Sequence, residues 1–143
     1  MEQLTYSDRF WMKWYRMLGL PEELPEPGCS VAESIYKIWT ERVSPDKVAL
    51  VCGGYEMTAK ELIDTTNRMA SALKSIGMRK GDVVATLIGN GIPVALSVFG
   101  SMCANLTWQS MSTLHKLPEI ERQLRESGAK TIICYERFLD QIK

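Results

Sequence analysis

The chain has 143 residues, 45% of them hydrophobic, with Lys+Arg 17 against Asp+Glu 17. That is the balance of one ordinary globular domain, long enough to bury a core without a disulfide or metal staple. A formal net charge of +0 excludes broad, non-specific attachment to nucleic acid or acidic membranes, which depends on a surplus of Lys and Arg.

Near the N-terminus, Phe10, Trp11, Trp14, Tyr15 and Leu18 fall on one broad face of a helix expected to start near Ser7 or Asp8. With Arg9, Lys13 and Arg16 beside it, such a face docks against protein, on this body or another, or lies at a lipid interface. Packing is the preferred reading. Gly19 ends the helix, and Pro21, Pro25 and Pro27 keep the stretch from Leu20 to Cys29 extended. The chain therefore divides into an aromatic helix with its connector, 1–29, and an α/β unit, 30–143.

Ser30 and Glu33 have the spacing of a capping box, and Val31, Ile35, Ile38 and Trp39 supply the apolar face of the helix they open. Lys47 to Cys52 reads as a strand, Gly53-Gly54 as a turn and Tyr55 to Met57 as the returning strand. Thr58 and Glu61 repeat the capping box. The long helix that follows carries Leu62, Met69, Leu73 and Ile76 on one face and stops at Gly77. After the turn at Lys80-Gly81-Asp82 come an uncharged strand from Val83 to Ile88, a helix from Pro93 to Ala104 and a strand from Leu106 to Met111. A helix from Pro118 to Ser127, a strand from Lys130 to Cys134 and a short helix from Glu136 to Ile142 complete the order. Apolar strands alternating with helices specify an α/β fold, a partial and mostly parallel sheet with helices on both faces and right-handed crossovers.

No Asp, Glu, Lys, Arg or His occurs from Val83 to Leu114. Gly89, Asn90, Gly91 and Pro93 interrupt that stretch, and the remaining helix falls short of the ~20 residues of a transmembrane span. The N-terminus carries acids at Glu2 and Asp8 and lacks the charged start and apolar core of a secretion signal. Cys29, Cys52, Cys103 and Cys134 stand far apart, forming neither zinc knuckle nor redox dithiol, and isolated thiols suit a reducing compartment, the cytoplasm.

Each candidate for chemistry has a plainer explanation. Gly89 to Val94 follows a strand and opens a helix, but Val94 stands where a dinucleotide fingerprint has its third glycine, and no acid follows at the ribose spacing. Ser110, Ser112 and Thr113 lie near a strand end, yet the sole histidine, His115, follows with no nucleophile elbow. Cys103, among Phe99, Met102 and Ala104, reads as a small buried hydrophobe, and Trp108 as a residue at the edge of the sheet core. The acids are scattered singly and suggest no metal dyad.

Four segments together resemble the beginning of the adenylate-forming superfamily, the AMP-binding acyl-CoA synthetases, luciferases and peptide-synthetase adenylation domains. They are VALVCGGYEMTAKEL at 48–62, NRMASALKSIGMRKGDVVATLIGN at 67–90, the helix through Ala95 and Leu96, and LPEIERQLRESGAKTIICYE at 117–136. Asn90 matches the family's asparagine, and Ser127-Gly128-Ala129-Lys130 its "S-G-A-k" turn. Trp14-Tyr15 and the proline connector are similar to the opening of fatty-acid ligases. Around TWQSMS at 107–112 the chain departs from the family, with Asn105 just before it at the family's usual glycine and Ser110 at its usual proline, which leaves the acid's chain length open.

The resemblance implies an ATP-dependent acid–CoA ligase that uses ATP, Mg and coenzyme A and passes through an acyl-adenylate. It also implies that this chain matches only the first part of such an enzyme. The family's Ser/Thr/Gly-rich phosphate loop ending in Pro-Lys, its adenine and ribose contacts and its catalytic lysine all come later. No residue from 1 to 143 is therefore assigned a catalytic, cofactor-binding or metal-binding role, and the segment is expected to be scaffold. Its expected partners are the remainder of the parent enzyme or a partner chain, or a second copy joined through a bare strand edge or the aromatic helix. An interaction domain derived from the family is the alternative reading.

Overall fold

A computed structural model describes residues 9, 11–23 and 28–142. The expected helix start at Ser7 or Asp8, Phe10, Pro25 and Pro27 lie outside the described residues. The first helix, α1 (Met12–Met17), ends before Gly19 with φ +65°. It turns Met12 inward at 7% exposure and keeps Trp11 and Tyr15 half-buried, while leaving Trp14 at 51% and Leu18 at 66%, so Trp14 and Leu18 do not pack on this body.

Ser30 caps α2 (Val31–Glu41): its hydroxyl accepts from Glu33 N, and the Glu33 carboxylate accepts from Ser30 N at 2.7 Å. The apolar face of α2 begins one residue later than expected. Ala32, Ile35, Tyr36 and Trp39 meet α3 and α4, while Val31 and Ile38 stay 63% and 48% exposed. Strands β1 (Val48–Cys52) and β2 (Tyr55–Thr58) form an antiparallel hairpin. Gly53 and Gly54, at φ +57° and +80°, make its turn, a backbone other residues adopt only with strain.

Helix α3 (Ala59–Ser75) carries the second capping box, Thr58 with Glu61. Its inward stripe is Ala59, Leu62, Thr66, Ala70 and Leu73, a helical period. Ile76, expected on that stripe, is 64% exposed because it caps the helix where the chain turns away at Gly77.

The second sheet has the order β4-β3-β5, with β3 (Val83–Leu87) parallel to both β4 (Thr107–Ser110) and β5 (Thr131–Cys134). Helix α4 (Ile92–Cys103) connects β3 to β4, and α5 (Leu117–Ser127) connects β4 to β5. A 3₁₀ turn (Glu136–Phe138) and α6 (Leu139–Ile142) follow. Val84 packs with Ala70, Leu73 and Ala104 on one face, and Ala85 and Leu87 pack with Ile120 and Phe138 on the other. A central strand buried on both sides has no position for a charge, which explains the uncharged run in β3.

Candidate functional site

The ends of β3 and β5 mark the point where the chain leaves the sheet in opposite directions. From β3 it passes through Gly89-Asn90-Gly91 into α4, on the face where α3 lies. From β5 it passes through Tyr135 into the turn that places Phe138 on the α5 face. Open α/β sheets present ligands at such a divergence. Here it leaves a crevice of about 560 Å3 lined by Gly89, Tyr135, Glu136 and Arg137.

The β3–α4 loop runs beside Tyr135: a Cβ at position 89 would stand 3.7 Å from the Tyr135 hydroxyl oxygen, an ordinary van der Waals contact. The Arg137 guanidinium lies 5.2 Å from the Tyr135 ring and 4.8 Å from the Phe138 ring. Cation–π attraction of this kind holds the planar cation at the lip. Sequence reasoning passed over Tyr135 and Arg137. The available signal was their place immediately after an apolar parallel strand.

A magnesium triphosphate does not fit this crevice. One guanidinium beside one carboxylate, Glu136, is too small a donor set to balance the charge of transferring phosphate. Among the described residues no group of three His, Cys, Asp or Glu side chains could hold a metal ion.

The structure separates the other candidates. Ser110 is exposed at the end of β4, Ser112 Oγ accepts from Leu114 N at 3.2 Å within a turn, and His115 Nδ1 lies 3.2 Å from Gln123 Nε2. This is turn and helix-start geometry. Cys103 packs against the α3–α4 side of the core, and burial pushes its thiol up from the ordinary value, as it does that of Cys134. Trp108 is half-buried on β4, an outer strand of the sheet, and its indole Nε1 is buried without a hydrogen-bond partner. Gly91 opens α4 with Cys52 Sγ 3.5 Å from where its Cβ would be, so Gly89 to Val94 serves as a strand-to-helix turn packed against the hairpin. Among the described residues no helix is long and apolar enough to cross a membrane.

Comparison with known proteins decides the family. The AMP-binding enzyme family matches residues 39–143. The chain belongs to this family.

Among relatives of this AMP-binding chain, 4-coumarate–CoA ligase 3 of Arabidopsis thaliana is 32% identical over 100 residues, covering 68% of this chain and 18% of that protein. A long-chain-fatty-acid–CoA ligase of Bacillus subtilis is 28% identical over 132 residues, covering 91% of this chain and 23% of its own length. The solved anthranilate CoA ligase AuaEII, in complex with anthranoyl-AMP, superimposes with a TM-score of 0.71 at 29% identity over 78% of this chain and 21% of that one. The chain thus spans 18% to 23% of the length of these relatives, and its α/β architecture is that of their N-terminal subdomain.

Proposed function

We propose that residues 1–143 are the N-terminal scaffold of an ATP-dependent carboxylic acid–CoA ligase, with a fatty acid as the substrate. The parent reaction joins a carboxylate to the α-phosphorus of ATP, releasing pyrophosphate, and then transfers the acyl group to the coenzyme A thiol, releasing AMP. The observation that carries the reading is the family match over 39–143. The fatty-acid assignment draws support from the Bacillus relative, whose likeness runs over 91% of this chain, against 68% for the coumarate ligase.

In this reading 1–29 is an accessory helix and connector, and 30–143 is part of the ligase sheet layer. The chain itself supplies no catalytic, cofactor-binding or metal-binding residue, and the ligase works in the cytoplasm. ATP, Mg and coenzyme A belong to the later part of the parent enzyme. Acid-dependent ATP–pyrophosphate exchange tests this. Residues 1–143 alone should give none, and exchange by them overturns the scaffold reading. A longer product of the same reading frame, carrying a Ser/Thr/Gly-rich loop ending in Pro-Lys, should exchange faster with long-chain acids than with coumarate. The opposite order overturns the fatty-acid assignment.

A second reading, an interaction domain that pairs with another chain, is favoured by the exposure of Trp14, Met17 and Leu18 on α1 and of Leu114 after β4, the last at 89%. A dimer persisting at low micromolar concentration by light scattering supports that reading, and a strict monomer counts against it.

A further inference from the structure

The three parallel strands begin at the end of the sheet opposite the crevice, and three short segments are tied together there. Gly81 N donates to Asn105 O at 2.9 Å, Thr107 N to Asp82 O at 2.9 Å and Lys130 N to Val83 O at 3.0 Å. The segments 74–82, 103–107 and 127–131 that meet in this way hold four cations, Lys74, Arg79, Lys80 and Lys130, against one acid, Asp82, in a chain of formal net charge +0. Asp82 is already matched by Lys130, whose Nζ lies 2.7 Å from Oδ1. Lys74, Arg79 and Lys80 have no ion pair among the described residues.

An apolar side chain stands among these cations, and the fold holds it out. Ile76 is 64% exposed. Two residues later Met78 takes the inward place, its N–H donating to Leu73 O at 3.2 Å and its Sδ accepting from Thr131 Oγ1 at 3.2 Å. With Met78 in the core and Gly77 turning the chain at φ +92°, Ile76 is left on the outside of the turn.

We propose that this end of the sheet docks on an anionic phospholipid surface, with Lys74, Arg79 and Lys80 meeting head-group phosphates and Ile76 entering the interface. Each half of the patch excludes a different alternative. Cations alone would serve any polyanion, but an aliphatic side chain in their midst gains transfer free energy only where head groups give way to acyl chains. An apolar residue alone would suit a protein surface, but the uncompensated cations around it would lose hydration there unless acids faced them. An anionic bilayer answers both, and the long Lys and Arg stems can lie along the apolar layer with their charges in water. Asp82 Oδ2 accepts from Arg79 N at 2.8 Å and fixes the turn, so little is lost in ordering it on the surface. Net neutrality rules out attachment over the whole surface, not at one end. The patch shares no residue with the strand-end crevice and does not depend on the ligase reading.

Sedimentation of the 143-residue chain with phosphatidylcholine vesicles, with and without about one-third phosphatidylglycerol, tests the proposal. Binding is expected only with phosphatidylglycerol, and it should fall steeply between about 0.1 and 0.5 M salt as the Debye length shortens. Lys74→Ala and Lys80→Ala should each weaken it about fivefold, and Ile76→Ser about fivefold or more. Absence of phosphatidylglycerol-dependent binding overturns the proposal, as does binding that survives Lys74→Glu combined with Lys80→Glu. Unchanged binding in Ile76→Ser overturns it too, and if that variant does not fold, Ile76→Ala is judged by the same criterion. Loss in Trp14→Ala without loss in the paired Glu variant would move the contact to α1 and overturn the assignment. Binding to duplex DNA without binding to vesicles would make the patch a polyanion site and overturn the bilayer. Failure of the ligase reading appears in pyrophosphate exchange, which this experiment does not use.

Discussion

Gly100 of α4 lies against Met69 of α3 so closely that a Cβ at position 100 would stand 2.5 Å from Met69 Cγ and 2.8 Å from Met69 Cβ. The missing side chain sets the spacing of the helix pair that covers one face of the sheet. Gly100→Ala gains helix propensity of about 1 kcal/mol, but it presses on Met69 Cβ, which no side-chain rotation moves, at a cost of about 1–3 kcal/mol. A net loss of stability in urea denaturation is expected, and an unchanged or raised midpoint would show that the helices separate without cost.

The cap of α3 makes a pH-dependent prediction. Hydrogen bonds from Thr58, its backbone N–H first and its hydroxyl second, hold the Glu61 carboxyl below its ordinary value of 4.5. A lowered folded value means that this stabilisation is fully present above about pH 4.5 and is lost as pH falls through the lower folded value. Thr58→Ala should cost about 1 kcal/mol at neutral pH. Its deficit against the parent should shrink below pH 4.5, as read from denaturation midpoints across an acid series.

Asp82 joins the beginnings of two strands. Its Oδ1 lies 2.7 Å from Lys130 Nζ ahead of β5, and its Oδ2 accepts from Arg79 N at 2.8 Å in the turn before β3. Lys130 is the larger cause, and Arg79 the second, of an Asp82 carboxyl held below its ordinary value of 3.8. Asp82→Asn should lower the melting temperature at pH 7 and converge with the parent below pH 3.8. A deficit that persists in acid would mean that the amide disturbs the turn rather than removing a charge.

Two isoleucines of equal hydrophobicity should respond differently. Ile120 is 0% exposed against β3, whereas Ile76 is 64% exposed after the last turn of α3. Ile120→Ala should cost about 2–5 kcal/mol, and Ile76→Ala less than about 0.5 kcal/mol. Similar losses at both positions would show Ile76 to be covered in solution.

Local chemistry was legible along much of the chain. The capping boxes at Ser30 and Thr58, the Gly53-Gly54 turn, the stop at Gly77 and the uncharged β3 all act through neighbours in sequence, so their residues announce them. Where two phases of a helical pattern were nearly equivalent, as on α2, the sequence placed Val31 and Ile38 inward. The actual face, Ala32 to Trp39, is chosen by the surface α3 and α4 present. The same difficulty hid the inward Met12 of α1 and the exposed Ile76.

Position along the chain marked Tyr135 and Arg137 as residues following an apolar strand but did not show what they face. Gly89 and Arg137 become neighbours only because β5 returns on the far side of β3 from β4. That strand order depends on long-range pairing, and no spacing between the two residues records it. The sequence by itself determined the elements and their order, because capping, turn backbone and hydrophobic period are set within a few residues, and its ordered segments from 48 to 136 carried the resemblance to the family. The tertiary structure decided which face of each helix is buried and where the crevice opens, because those follow from packing between segments remote in the chain.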